Sequence, residues 1–212
     1  NVYLLLLIVN VISFASIVYY FDSYYGFVTD DVNYYSGGKI YQGEYLWNVK
    51  NGNEFMFFLV KPIYNAFELD RFSFHALFGG LGIIGSINFF YLATQRSDFL
   101  NELSLSYNRL VFVVLLCFPN FMFWGRVFGK DSTMLLLASI FSIAAYRLLQ
   151  GKKNAFVSII YLAIPLYLMN ILRPHVAGVL AVSFGVAFMF GSIRASNSGK
   201  PRGVFTRLVL PI

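Results

Sequence analysis

The chain opens on "VYLLLLIVNVISFASIVYYF", an almost unbroken apolar run, and runs of this kind recur to its end. They are apolar on all sides rather than along one stripe, which marks helices surrounded by hydrocarbon or by other helices. At the roughly 20 residues that cross a bilayer, the pattern predicts spans at about 2–21, 72–94, 109–125, 132–149, 155–172 and 174–193. Another begins near 203. The first run is too long for a signal-peptide core and lacks a small-residue cleavage site, so it reads as a retained span. Between the first two runs lies a long polar region, 22–71, dense in tyrosine. Within it, "FMFFLVKPIYNAFELD" is apolar but short and charged. It reads as a helix lying at the membrane interface, broken or kinked at Pro62. Pro119 and Pro165 predict kinks inside two spans. The expected fold is an all-α, polytopic transmembrane helix bundle, one domain over 1–212, with an interfacial helix in the first outer loop. The start at Asn1 and the ending "FTRLVLPI", a span cut short, suggest a fragment of a longer protein.

Composition agrees with the pattern. Hydrophobic residues make up 58% of the chain and charged residues 12%, where soluble domains carry about 25% charged residues. The net charge of +6 could point to nucleic acid, but its distribution points to a membrane. One set of connections carries Arg96, Arg109, Arg147, Lys152, Lys153, Arg194, Lys200, Arg202 and Arg207 against only Asp98 and Glu102. The other set, 22–71, 125–131 and 173–175, balances its charges. By the positive-inside rule the basic set is cytoplasmic. The N-terminus is then inside, and the first long loop is outside. Cys117 is the single cysteine. It forms no internal disulfide and belongs to no CxxC metal pattern, so it reads as a small buried hydrophobe. There is no GxSxG, HExxH or nucleotide-binding loop.

The charges that remain are few, and the topology collects them on one side. Arg126, Lys130 and Asp131 occupy one outer turn. Arg173, Pro174 and His175 occupy the next. Asp30 and Asp31 lie in the first outer loop. Short turns hold such groups near the hydrocarbon boundary, where ionisable residues mark function by default. Pro174 suits the first turn of a helix, whose N-terminus favours anions. Three cations beside it, Arg126, Lys130 and Arg173, form a candidate clamp for a lipid phosphate or pyrophosphate. The plain alternative is that they snorkel to head groups or close ordinary turns. Asp30-Asp31 could supply a general base, hold a divalent cation, or cap a helix. Tyr34 and Tyr35 follow at once, and aromatic rings stack on sugars. His75, early in the second span, reads first as a helix–helix hydrogen-bond partner. Gly79, Gly80, Gly82 and Gly85 read as small-residue helix packing.

The block "FPNFMFWGRVFGKDS", 118–132, followed by "LRPHVA", 172–177, resembles bacterial integral-membrane polysaccharide polymerases and glycosyltransferases. The first outer loop, with Asp30, Asp31, Tyr34 and Tyr35, is similar to that of GT-C-type glycosyltransferases. The resemblance implies transfer of a sugar from a polyprenyl-(pyro)phosphate at the outer face of the bacterial cytoplasmic membrane, toward O-antigen, capsule or exopolysaccharide. It implies Asp30 or Asp31 as base on the acceptor hydroxyl. It further implies Arg126, Lys130 and Arg173 as phosphate ligands, His175 on phosphate or sugar, and Asp131 orienting Lys130. The partners would be a lipid-linked sugar, a glycan acceptor and membrane lipids, not nucleic acid. The chain departs from the family in having few spans and no large outer domain. A lipid-linked oligosaccharide flippase and a non-catalytic subunit of an envelope complex stay as alternatives.

Overall fold

The computed structural model describes residues 2–20, 30–42, 52–94, 125–149 and 155–197. Among these residues the chain forms seven helices and no strand. They are α1 (Val2–Tyr20), α2 (Asp30–Ile40), α3 (Gly52–Phe67), α4 (Arg71–Thr94), α5 (Lys130–Leu149), α6 (Ala155–Leu172) and α7 (Pro174–Asn197). The expected spans at 109–125 and from 203 lie essentially outside the described residues, as do Cys117 and Pro119.

Among the described residues, length and composition qualify two helices to cross a membrane. Residues Arg71–Leu92 of α4 have a mean hydropathy of 1.4, and Lys130–Leu149 of α5 one of 1.6. The apolar stretches of the other long helices are shorter, at Leu7–Ser16, Phe156–Leu172 and Pro174–Met189. Helix boundaries otherwise follow the apolar runs closely. Of the expectations about proline, a break at Pro62 is not seen: α3 continues as helix through it, as α6 does through Pro165. Pro62 is exposed, so its ring meets solvent or lipid rather than a packed neighbour.

The ends of the helices explain where they stop. Glu68 closes α3 in the left-handed region (φ 48°). Its N–H donates to the Tyr64 carbonyl at 2.7 Å, the five-to-one bond of an αL cap. Asp70 then caps α4, its Oδ1 accepting the Ser73 N–H at 2.8 Å. Arg173 separates α6 from α7, and its carbonyl accepts the N–H groups of Val176 and Ala177. Pro174 opens α7, where its missing N–H costs nothing.

α4 and α5 form the centre of the bundle, with α1 against α4 and α6 against α5. α4 and α5 run in the same direction. Gly85 lies on Leu135, and Asn88 Nδ2 donates to Ser139 Oγ at 3.1 Å. The segment 125–128 runs the opposite way along α4, with Gly125 at Gly82, Arg126 at Gly79 and Phe128 at His75. α2 and α3 pair and sit over the end where α4 and α5 begin. The join is aromatic: Phe128 lies 4.8 Å from Phe78, 5.4 Å from Phe74 and 6.0 Å from Tyr34, centroid to centroid.

The Asp70 cap yields a pH dependence. The Ser73 hydroxyl and, after it, the Ser73 N–H hold the Asp70 carboxyl below its ordinary range. A carboxylate depressed in the folded state contributes stability that is fully present above its unfolded pKa and is lost as pH falls through the folded one. Amide exchange at Ser73 is therefore expected to accelerate on acidification below the usual aspartate range. Asp70→Asn keeps a capping acceptor but has no titration, so its exchange should lose that acid-specific step.

Candidate functional site

The first turn of α2 sets the site. Helical spacing turns Asp31 and Tyr34 inward, 2% and 4% exposed, while Asp30 stays exposed. Asp31 Oδ2 meets His75 Nε2 at 3.0 Å. The opposite ring atom, Nδ1, accepts the backbone N–H of Phe128 at 3.0 Å. An Nδ1 that accepts carries no proton, so His75 is the neutral Nε2–H tautomer donating to the Asp31 carboxylate. Arg71 Nε lies 3.8 Å from the same carboxylate oxygen, which gives the buried charge a cationic neighbour. One histidine thus ties α2 to α4 and both to the bend that precedes α5.

Beyond that bend stand the residues singled out in the sequence. Lys130 Nζ lies 5.8 Å from the centroid of the Tyr34 ring. Arg173 donates from Nη2 to Asp131 Oδ2 at 2.9 Å. Tyr34 feels Asp30, Arg173 and Asp131 together: burial, and then the Asp30 charge, push its phenol up to about 12 against a lowering by Arg173. The phenol therefore keeps its proton at any physiological pH. The same charges act on Lys130, which has Arg173, Asp30 and Asp131 as electrostatic neighbours. Asp30, Tyr34, Lys130, Asp131 and Arg173 form one group at the end of the bundle where α4 and α5 begin. α3 closes its side, because Gly52 lies against the Leu172 carbonyl and near Lys130 Nζ.

Four sequence expectations fall differently. Arg126 is fully buried and turns away from this group. Its Nη2 donates to Ser86 Oγ at 3.1 Å and its Nη1 to the Gly125 carbonyl at 3.2 Å. Ser86 is eleven residues beyond His75 along α4, a rise of about 16 Å. The reason is the bend: residues 125–128 run down α4, so a long side chain from Arg126 reaches its middle. Tyr35 points to the other side of α2. Its hydroxyl donates to the Leu69 carbonyl at 3.1 Å, its ring packs on Tyr64 and Phe74, and Lys39 Nζ sits 4.4 Å from its centroid. His175 is exposed on the first turn of α7 and forms no hydrogen bond or ion pair among the described residues. Asp131 pairs with Arg173, whereas Lys130 was the expected partner.

Asp30 and Asp31 differ in exposure and company, so they do not form one acidic patch. Among the described residues no group of three or more His, Cys, Asp or Glu side chains is placed to hold a metal ion. His75 and Arg71 are the members that sequence reasoning left out of the site. The available signal for His75 was its place one turn inside an expected span, on the side expected for the other charges. Comparison with protein-family models, with curated proteins and with solved structures gave no match.

Proposed function

We propose that the chain is a polytopic membrane protein of the bacterial cytoplasmic membrane that transfers a sugar from a polyprenyl-(pyro)phosphate to a glycan hydroxyl at the outer face. The observation that carries this reading is the grouping of Asp30, Tyr34, Lys130, Asp131 and Arg173 at one end of two helices long and apolar enough to cross a membrane. A lipid-borne phosphate sits at that depth, and a sugar attached to it stands just outside. Exposed Ile12, Phe156 and Val182 on α1, α6 and α7 support a hydrocarbon surrounding, since water-facing helices rarely present such rows.

In this reading Asp30 is the base. It accepts the proton of the acceptor hydroxyl as that oxygen forms its bond to the anomeric carbon. The bond from that carbon to the phosphate oxygen breaks, and the electron pair leaves with the phosphate. Lys130 and Arg173 face the developing charge. Asp131 holds the Arg173 guanidinium in a fixed direction, and Tyr34 offers its proton as a hydrogen-bond donor. Asp31 and His75 do not react; they fix α2 and the 127–129 bend so that Asp30 and Lys130 stand opposite each other.

Arg173→Gln should lower polymer made in cells by about 10²-fold, the scale of one lost charge-stabilising donor. Lys152→Gln, in a connection assigned to the cytoplasm, should leave it unchanged. Equal yields from both variants would remove Arg173 from the reaction. A second reading, a lipid-linked oligosaccharide transporter, draws on Arg126, a buried cation beside the middle of α4 and next to a non-helical bend. The two readings part on what accumulates without the protein: a lipid-linked repeat unit at the outer leaflet for the transferase, at the inner leaflet for the transporter.

A further inference from the structure

At the end of α5 remote from Asp30 and Lys130, α5 and α6 leave between them a groove of about 220 Å³. Ile140, Ile143, Ala144 and Arg147 line one wall, the i, i+3, i+4, i+7 stripe of α5. Val157, Ser158 and Tyr161 of α6 line the other. The groove is graded along its length. Ile140 and Ile143 are its deep, apolar part. Arg147 lies in the last turn of α5 and Ser158 in the first turn of α6, so both stand at its mouth. Side chains on a helix lean toward its N-terminus, which carries the Tyr161 hydroxyl toward the same mouth. Tyr161 is 56% exposed and Val157 45%, so the groove opens outward from the bundle.

Its charge is unbalanced. Arg147 is exposed and makes no ion pair among the described residues. From Ser132 to Ile212 the chain has no Asp or Glu, and Lys152 and Lys153 follow Arg147 in the connection to α6. An apolar slot that ends in a guanidinium and two hydroxyls, with no acid in its half of the chain, matches one kind of ligand. That ligand is an amphiphile with an anionic head.

We infer that this groove is a binding site for an anionic phospholipid, with the start of one acyl chain against Ile140, Ile143 and Val157 and the phosphate on Arg147, Ser158 and Tyr161. Basic pockets between spans on the cytoplasmic side take such head groups. The volume is below that of a drug-sized pocket, so it holds the upper part of one chain and not the whole lipid. The inference rests on the part of the proposed function that has α5 crossing a membrane, and is independent of sugar transfer.

The full chain, reconstituted in phosphatidylcholine nanodiscs, is titrated with phosphatidylglycerol, and retained lipid is counted by native mass spectrometry. Phosphatidylglycerol should be retained over phosphatidylcholine, and Arg147→Gln should cut that preference about fivefold, the effect of one cation near a charged lipid surface. Lys39→Gln, on a cation at the opposite end, should not change it. Ile143→Trp, which fills the slot, should reduce retention of both lipids. Equal retention of the two lipids, or no response to Arg147→Gln, overturns the site. Displacement of the lipid by millimolar inorganic phosphate also overturns it, since the head alone would then be the ligand. A chain that fails to enter nanodiscs at all refutes the membrane reading itself, whereas one that enters without lipid preference refutes only the groove.

Discussion

Asp30→Asn is expected to lower polymer formation by about 10²–10⁴-fold, the contribution of a general base, with the amount of inserted protein unchanged. Asp31→Ala is expected to do the reverse, lowering the amount of folded protein and leaving turnover per folded molecule near normal. The contrast follows from burial. Asp30 is exposed, so Asn in its place keeps the shape and removes only the charge. Asp31 is 2% exposed and accepts from His75 Nε2 at 3.0 Å. Alanine there removes the acceptor of a buried N–H, at about 1–3 kcal/mol, and takes a negative charge away from Arg71. His75→Gln tests the same linkage from its centre. Its amide can still donate toward Asp31 but is poorly placed to accept from Phe128 N, so it should weaken the bend before α5 more than the hold on α2. Polymer yield normalised to folded protein, together with a melting curve, separates the cases. If Asp31→Ala melts normally and is the silent variant, the two carboxylates exchange roles. If neither variant changes polymer yield, the carboxylate chemistry proposed for this end fails.

The division of labour between these neighbours was only half legible in the sequence. Adjacent acids, nearby tyrosines and cations on the same expected side mark a region. They do not say which carboxylate points inward, because that depends on the register of α2 against α4. The register is set by pairings forty-four residues apart, such as Asp31 to His75, which no local pattern encodes. Helices were the easy part, since runs such as 155–172 are bounded by a basic connection and an Arg-Pro turn. The path of 125–129 was the hard part. The spacing of Arg126 and Lys130 suggests one helical face and a shared ligand. A bend at 127–129 sends Arg126 to Ser86 and leaves Lys130 with Tyr34 and Arg173. At Pro62 the helix is not broken: the ring fixes a φ that a helix also uses, and what α3 gives up is the bond to the Phe58 carbonyl.

The close approach of that bend to α4 brings the second large effect. Gly82→Ala is expected to be among the most damaging single-methyl changes in the described residues, while Gly80→Ala, two residues away on the same helix, is expected to be harmless or mildly stabilising. A Cβ on Gly82 would fall on the Gly125 carbonyl oxygen and approach its carbonyl carbon at 2.8 Å, with Arg126 Nη1 at 3.5 Å. The obstacle is backbone, and it cannot rotate away as a side chain would. The bend must move off α4, and with it go the Arg126 donation to Ser86 and the Phe128 donation to His75. Overpacking of this kind typically costs about 1–3 kcal/mol, and the two hydrogen bonds broken as the bend moves add to it. At Gly80 the added carbon meets nothing within 4 Å, and Ala in a helix interior is favoured over Gly by about 0.5–1 kcal/mol. Purified variants compared by thermal melting in one detergent decide the matter. A Gly82→Ala protein as stable as Gly80→Ala would mean that the bend does not press against α4. The neutral His75 tautomer, the buried Arg126 and the placing of Lys130 opposite Asp30 would then lose their common cause.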